Sequence, residues 1–131
     1  MKKLFLLFTF TLLSGCANVM SYVPSFWDDN QSSKIIDVRL DITRLDCSQS
    51  QLPQVSKIRN DLEWFRLYSD SKGLRQTDVL NLIKPMQDTV EDWYKRVALG
   101  TQKENSVYCE LKKKILIEQS ARASKAVLGR F

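Results

Sequence analysis

Large apolar residues recur three or four positions apart through most of the chain after residue 33, and this spacing constrains the fold more than any other feature. An α-helix turns once every 3.6 residues, so residues at this spacing lie along one face. No segment sustains the apolar–polar alternation of a half-buried strand. The predicted core stripes are Ile35-Val38-Ile42-Leu45, Val55-Ile58-Leu62-Phe65, Val79-Ile83-Met86-Val90-Trp93-Val97 and a shorter Tyr108-Leu111-Ile115. The sequence therefore predicts an all-α fold, a small up-down-up-down four-helix bundle.

Capping and turn residues give the boundaries of the first two helices. Ser32 or Ser33 is a suitable N-cap for the first helix, which should end near Cys47. The second helix should start around Pro53, because proline suits a first helical turn, and Gly73 should cap its end.

The third helix carries the longest stripe and contains a proline. Thr77 or Asp78 should cap its start, and Gly100 should end it. Pro85 predicts either a kink or two helices joined before it, because proline removes a backbone donor. The fourth helix should run from about residue 104 to residue 128.

The N-terminus has the layout of a signal sequence. Lys2 and Lys3 precede an apolar run over residues 4–13. A spanning helix needs about 20 apolar residues, so this run has the proportions of a signal h-region instead. It leads directly into Leu13-Ser14-Gly15-Cys16.

This stretch resembles the lipobox of bacterial lipoproteins, which carry type II signal peptides. The resemblance implies removal of residues 1–15 and attachment of acyl chains, such as palmitate, to Cys16. In that family an Asp after the lipidated cysteine favours the inner membrane, and here the position is Ala17. The expected location is the periplasmic face of the outer membrane. Residues 16–33 would form a lipidated tether and residues 34–131 the helical domain.

The other two cysteines, Cys47 and Cys109, form an even pair. They fall at the end of the first predicted helix and near the start of the fourth, which is the same end of an up-down-up-down bundle. In an oxidising periplasm such a pair favours a disulfide over a metal site. The chain has no histidine, which excludes a His-containing zinc site. We therefore predict a Cys47–Cys109 disulfide and no metal.

Basic charge is concentrated in the last quarter of the chain. Residues 101–131 contain seven Lys or Arg against three Glu, whereas the preceding mature residues are nearly balanced. After Ile117 the sequence becomes polar and alanine-rich, so this end is expected to project beyond the core as a contact surface rather than belong to it. Such a surface suits anionic headgroups or an acidic protein, although a solvated helix face is the simpler alternative. The predicted partner or membrane contacts are Lys112, Lys113, Lys114, Arg122, Lys125 and Arg130.

Catalytic arrangements are poorly represented. Without histidine there is no Ser-His-Asp or Cys-His pair, and the four glycines form no phosphate-binding loop. Asp88 and Asp92 share a helix face. That face lies opposite the apolar stripe, which favours a solvent-exposed pair of carboxylates over a catalytic acid–base pair. The pairs Trp64-Phe65 and Trp93-Tyr94 are expected in the core. The sequence predicts no enzyme and no cofactor.

These observations predict a membrane-anchored periplasmic lipoprotein that acts as a structural or protein-interaction module, with an envelope protein as partner and no nucleic acid. The short length, the lipobox and the basic C-terminus also resemble small lipoproteins of tailed bacteriophages. That resemblance implies a role in lysis, as an outer-membrane spanin subunit, or in superinfection exclusion. Spanin subunits of this type are usually proline-rich, and the mature chain has only Pro24, Pro53 and Pro85.

Overall fold

The computed structural model describes residues 27–73, 76–100 and 105–130. These residues form four α-helices and no strand. The helices are α1 (Asp29–Arg44), α2 (Gln51–Ser71), α3 (Thr77–Ala98) and α4 (Ser106–Leu128). The predicted all-α fold is confirmed.

Each helix packs against two neighbours, which closes the four helices into a ring. The contacts join α1 with α2, α2 with α3, α3 with α4, and α4 with α1. At one end, which we call the Gln31 end, Gln31 at the start of α1 meets Ser69 at the end of α2. At the other, the disulfide end, Gln51 at the start of α2 meets Trp93 near the end of α3. Successive helices therefore run in opposite directions, as predicted.

The core lies along the axis of this ring. Its largest fully buried side chains are Trp93 and Phe65, which come from α3 and α2. The stripes predicted for the first three helices supply most of the rest. Trp64 and Tyr94 depart from the expectation that both aromatic pairs are core. Trp64 is exposed and stacks on Tyr68, whereas Tyr94 is only partly buried.

The start of α1 corrects the predicted boundary between tether and domain. Asp28 is the N-cap, and its side chain accepts a hydrogen bond from the Gln31 backbone N–H at 2.9 Å. Aspartate caps a helix about as well as serine, so the helix starts one turn earlier than Ser32 and Ser33 suggested. Residues 29–33 belong to α1 rather than to the tether.

The turns around α3 give two further corrections. Thr77 is the first helical residue rather than the cap, since α3 is preceded by Gln76, whose side chain makes no capping bond. Pro85 lies within one continuous helix, so the two-helix alternative is wrong. Ile83 and Met86 are fully buried on either side of it, and this packing offsets the lost backbone bond. Gly73 and Gly100 adopt positive φ after α2 and α3, as expected of helix-ending glycines.

The core face of α4 was predicted wrongly. Leu111 is exposed, Ile115 lies at the margin of exposure, and Tyr108 is only partly buried. The buried residues are instead Cys109, Leu116, Ser120, Ala123, Ser124 and Val127. Cys109 must face Cys47, and positions 7, 14 and 18 residues further along a helix share its face. The covalent bond therefore turns α4 away from its larger apolar stripe.

Candidate contact surface on the last helix

The described residues begin at the Gln31 end, so this is where the predicted tether would enter the domain. Cys16 and the predicted signal peptide lie outside the described residues. Trp27, the first described residue, is half exposed, and its indole N–H donates to Asp29 at 2.6 Å. Asp28 binds both the start of α1 and Lys72 beyond the end of α2. These contacts fix the direction in which the chain enters the domain.

The disulfide is confirmed at the opposite end. Cys47 and Cys109 are bonded, with their Cα atoms 5.7 Å apart and a sequence separation of 62. Cys109 is fully buried in the core, and Cys47 packs against that core. This placement is typical of a structural cross-link between α1 and α4.

Three of the six predicted contact residues on the C-terminal segment are engaged within the domain. Lys112 donates to Asp92 at 2.8 Å, and Lys113 donates to the backbone carbonyl of Leu45 at 2.6 Å. Arg130 donates to the buried amide oxygen of Gln31 at 2.9 Å. These cations hold α4 against its neighbours in the domain.

The contact between Lys112 and Asp92 also shifts the pKa values of both side chains. The hydrogen bond from Lys112 holds the pKa of the Asp92 carboxyl below its usual value, and Arg96 adds to this effect. Burial is the largest single influence on the Lys112 ammonium and acts to lower its pKa, but the hydrogen bonds and charge interactions with Asp92 and Tyr108 together outweigh burial, so the pKa is raised. Both groups therefore stay charged near neutral pH, and the pair links α3 to α4.

The remaining three cations, Lys114, Arg122 and Lys125, are exposed. They form no ion pair among residues 27–73, 76–100 and 105–130. The helix that carries them does not project beyond the core, because Ala123 and Val127 are fully buried. That part of the expectation is wrong: small side chains at the end of α4 bring it close to α1. The predicted contact surface is thus one face of a packed helix.

This division of the cations predicts different effects on stability. Arg130→Gln should lower the free energy of unfolding by about 1–2 kcal/mol, because it removes a charged donor from the buried Gln31 oxygen. Arg122→Gln should change it by less than about 0.5 kcal/mol, as is usual for an exposed surface position. Urea unfolding followed by circular dichroism measures both. Equal effects of the two substitutions would contradict the division.

The outward face of α4 also carries apolar residues that sequence reasoning assigned to the core or passed over. Val107 is 76% exposed and Leu111 is 56% exposed, and Ile115 continues the same row one turn later. The sequence shows these residues as an apolar stripe at four-residue spacing, but the stripe lies on the solvent-exposed side of the helix. The buried glutamines at the two ends, Gln31 and Gln51, were also missed, since a polar residue in a first helical turn has no distinctive pattern.

The carboxylates singled out by sequence are paired with cations. Asp88 binds Lys84 at 3.1 Å, and Asp92 binds Lys112 and Arg96. A shallow groove between α2 and α3 is likewise lined by paired charges, with Arg59 bound to Glu91 at 2.6 Å.

Within the described part of the chain, no three His, Cys, Asp or Glu side chains are grouped so that they could hold a metal ion. None of the four helices is long and apolar enough to cross a bilayer.

Comparison of the chain with protein-family models, curated proteins and solved structures finds no match. The fold and the surface of α4 are therefore the structural basis for a functional proposal.

Proposed function

We propose that this protein is a lipid-anchored protein of the bacterial envelope, held at the periplasmic face of the outer membrane through acyl chains on Cys16, and that its helical bundle acts as a protein-interaction module. The observation that carries the proposal is Leu13-Ser14-Gly15-Cys16 at the end of a ten-residue apolar run. Two or more acyl chains hold a protein firmly in a bilayer, whereas one chain gives only marginal binding.

The bonded cysteines support this location. Disulfides persist in oxidising compartments such as the periplasm and are rare in the cytosol. The Cys47–Cys109 bond connects two helices in the core and leaves Cys16 as the third cysteine of the chain. In an envelope location each of the three cysteines has a role, because Cys16 carries the lipid and the other two form the disulfide.

The point at which the chain enters the domain limits how far the bundle can extend from the membrane. Trp27 lies eleven positions after Cys16 in sequence, and a fully extended chain spans at most about 3.3–3.6 Å per residue. The Gln31 end would therefore lie within about 40 Å of the bilayer surface. The outward face of α4 would be presented to proteins in the periplasm within that range.

An interaction role agrees with the chemistry of the surface. Asp88 and Asp92, the carboxylates best placed on one helix face, are engaged by cations. By contrast, α4 presents exposed apolar side chains together with basic side chains that form no ion pair within the described part of the chain. Exposed apolar residues bordered by polar ones are typical of protein–protein contacts.

Mass spectrometry of the purified N-terminus tests the anchor. We expect residues 1–15 to be absent and Cys16 to carry two or three acyl chains. Cys16→Ser should abolish lipidation and leave a species that retains the signal sequence. An intact Met1 on the wild-type protein, or an unmodified Cys16, would overturn the proposal.

Membrane fractionation tests the location with a matched variant. The wild type should sediment with the outer membrane in a density gradient. Ala17→Asp keeps the lipidated cysteine but introduces the residue that favours inner-membrane retention in this lipoprotein class, so it should shift the protein to the inner-membrane fraction. A wild type found in the inner membrane would contradict the location while leaving the anchor in place.

A further inference from the structure

Four charged residues on the outward face of α4 alternate in sign at regular spacing. Glu110, Lys114, Glu118 and Arg122 are four positions apart, and all four are exposed. Residues at this spacing form a ridge along a helix surface. We call these four residues the charged row; its signs read minus, plus, minus, plus from the start of α4 toward its end.

The charged row differs from other oppositely charged residues that lie four apart in the described helices. Residues four apart on a helix are close enough to pair, and elsewhere the chain uses this spacing, as in Lys84–Asp88 and Arg96–Asp92. No member of the charged row forms an ion pair with another described residue. Among the described residues, these four side chains therefore have no ion-pair partner and can meet charges on a second molecule.

A helix with this order of charges is electrostatically complementary to a second copy of itself that runs antiparallel. The charged row is symmetric about position 116, so a second copy running antiparallel places Glu110 opposite Arg122 and Lys114 opposite Glu118, with each pairing made twice. A parallel copy in register would place like charges opposite one another, which is unfavourable. The pattern therefore selects one relative orientation of two identical helices.

Helix packing geometry accommodates this arrangement. Ridges of residues four apart on two helices align when the helix axes cross at about −50°, the commonest class of helix packing. A two-fold axis perpendicular to the charged row generates this crossing and brings each row alongside its copy. The resulting contact is isologous, as in most homodimers.

An apolar row lies beside the charged row on the same face. Val107, Leu111 and Ile115 are also four apart, and the first two are among the most exposed large apolar residues described. In the antiparallel pair, each copy's apolar row extends along one half of the interface. Charge thus sets the orientation, and burial of these side chains supplies apolar contact area.

We propose that the outward face of α4 binds a second copy of this chain, in an antiparallel two-fold pair held by the charged row and the apolar row. This deepens the proposed interaction role by naming the partner of that surface. Lipidation of Cys16 and self-association are measured separately, so either can fail without the other.

Charge exchange between two differently tagged copies tests the pairing. An acidic variant, Lys114→Glu with Arg122→Glu, has four negative charges in the row. A basic variant, Glu110→Lys with Glu118→Lys, has four positive charges. Wild-type copies, produced together as full-length chains and extracted in mild detergent, should co-purify. Two copies of the acidic variant, or two copies of the basic variant, should co-purify at least about tenfold less than two wild-type copies. One acidic copy and one basic copy should restore co-purification.

Salt and the apolar row provide a second measurement. Raising the salt from 0.1 to 1 M shortens the Debye length from about 10 to 3 Å, so wild-type co-purification should weaken. Leu111→Glu should abolish it. Leu67→Glu is the matched control, because Leu67 is 52% exposed on α2, away from α4, and this substitution should leave pairing intact. Thermal melting and a non-reducing gel confirm that each variant is folded and cross-linked.

Three results would overturn the proposal. The first is a wild-type protein whose light-scattering mass, corrected for detergent, is that of one copy. The second is undiminished co-purification of like-charged variants, which would place the contact elsewhere. The third is loss in both variants without recovery on mixing, which would indicate a different envelope protein as the partner of this face.

Discussion

Replacing both Cys47 and Cys109 with serine is expected to lower the free energy of unfolding by about 4 kcal/mol. The bond closes a loop with a sequence separation of 62, and the chain-entropy description assigns a stabilisation of this size to such a loop. Small domains have a total stability of about 5–15 kcal/mol, so the loss is a large fraction. Urea unfolding followed by circular dichroism measures it, and the wild type in reductant should show a similar loss.

The oxidised wild type is the control for this prediction. It should contain no free thiol at positions 47 and 109 when a thiol reagent is applied under denaturing conditions. The double serine variant should retain its helices, because the rest of the core is unaltered. An unfolding midpoint that is unchanged by reductant would contradict the stabilising role of the bond.

Trp93→Ala is expected to destabilise the protein by about 4 kcal/mol. Trp93 is fully buried, and its indole N–H donates to the Gln51 amide oxygen at 3.1 Å. Truncating a buried aromatic residue to alanine costs about 3–5 kcal/mol through lost transfer energy and the remaining cavity. Loss of the hydrogen bond from the indole to Gln51 adds to this cost.

Two further substitutions separate packing from the hydrogen bond. Trp64→Ala is the matched control, because Trp64 is 42% exposed on α2, and its loss should cost less than about 1.5 kcal/mol. Trp93→Phe keeps most of the apolar contact but removes the donor, so its cost should lie between the two. Similar losses for Trp93→Ala and Trp64→Ala would contradict the assignment of Trp93 to the core.

The first three helices could be predicted from sequence because their apolar stripes coincide with their buried faces. Ile35, Ile58 and Ile83 each belong to the longest apolar stripe of their helix, and each is buried. The α4 helix has two candidate faces, one with large residues and one with small ones. Burial follows the second, because the bond from Cys109 to Cys47 fixes its rotation.

The contacts that some C-terminal cations make within the domain could not be predicted, for a related reason. Sequence reasoning treated the C-terminal cations as one group, since composition gives charge without giving direction. Lys113 and Arg130 in fact point to the Leu45 carbonyl and to Gln31, and their partners are 68 and 99 positions away in sequence. Hydrogen bonds over such distances depend on the packing of the bundle and leave no local pattern.

The way α1 is attached at both of its ends has a mechanical consequence. A pulling force applied to residue 27 first meets the cap at Asp28 and then Gln31, whose side chain bonds to Ser69, Gln76 and Arg130. If those bonds yield, α1 still cannot be drawn out of the domain, because Cys47 beyond its far end is covalently joined to Cys109. Tension entering at the N-terminal side is therefore transmitted through α1 into α4, the helix whose outward face we propose as the contact surface.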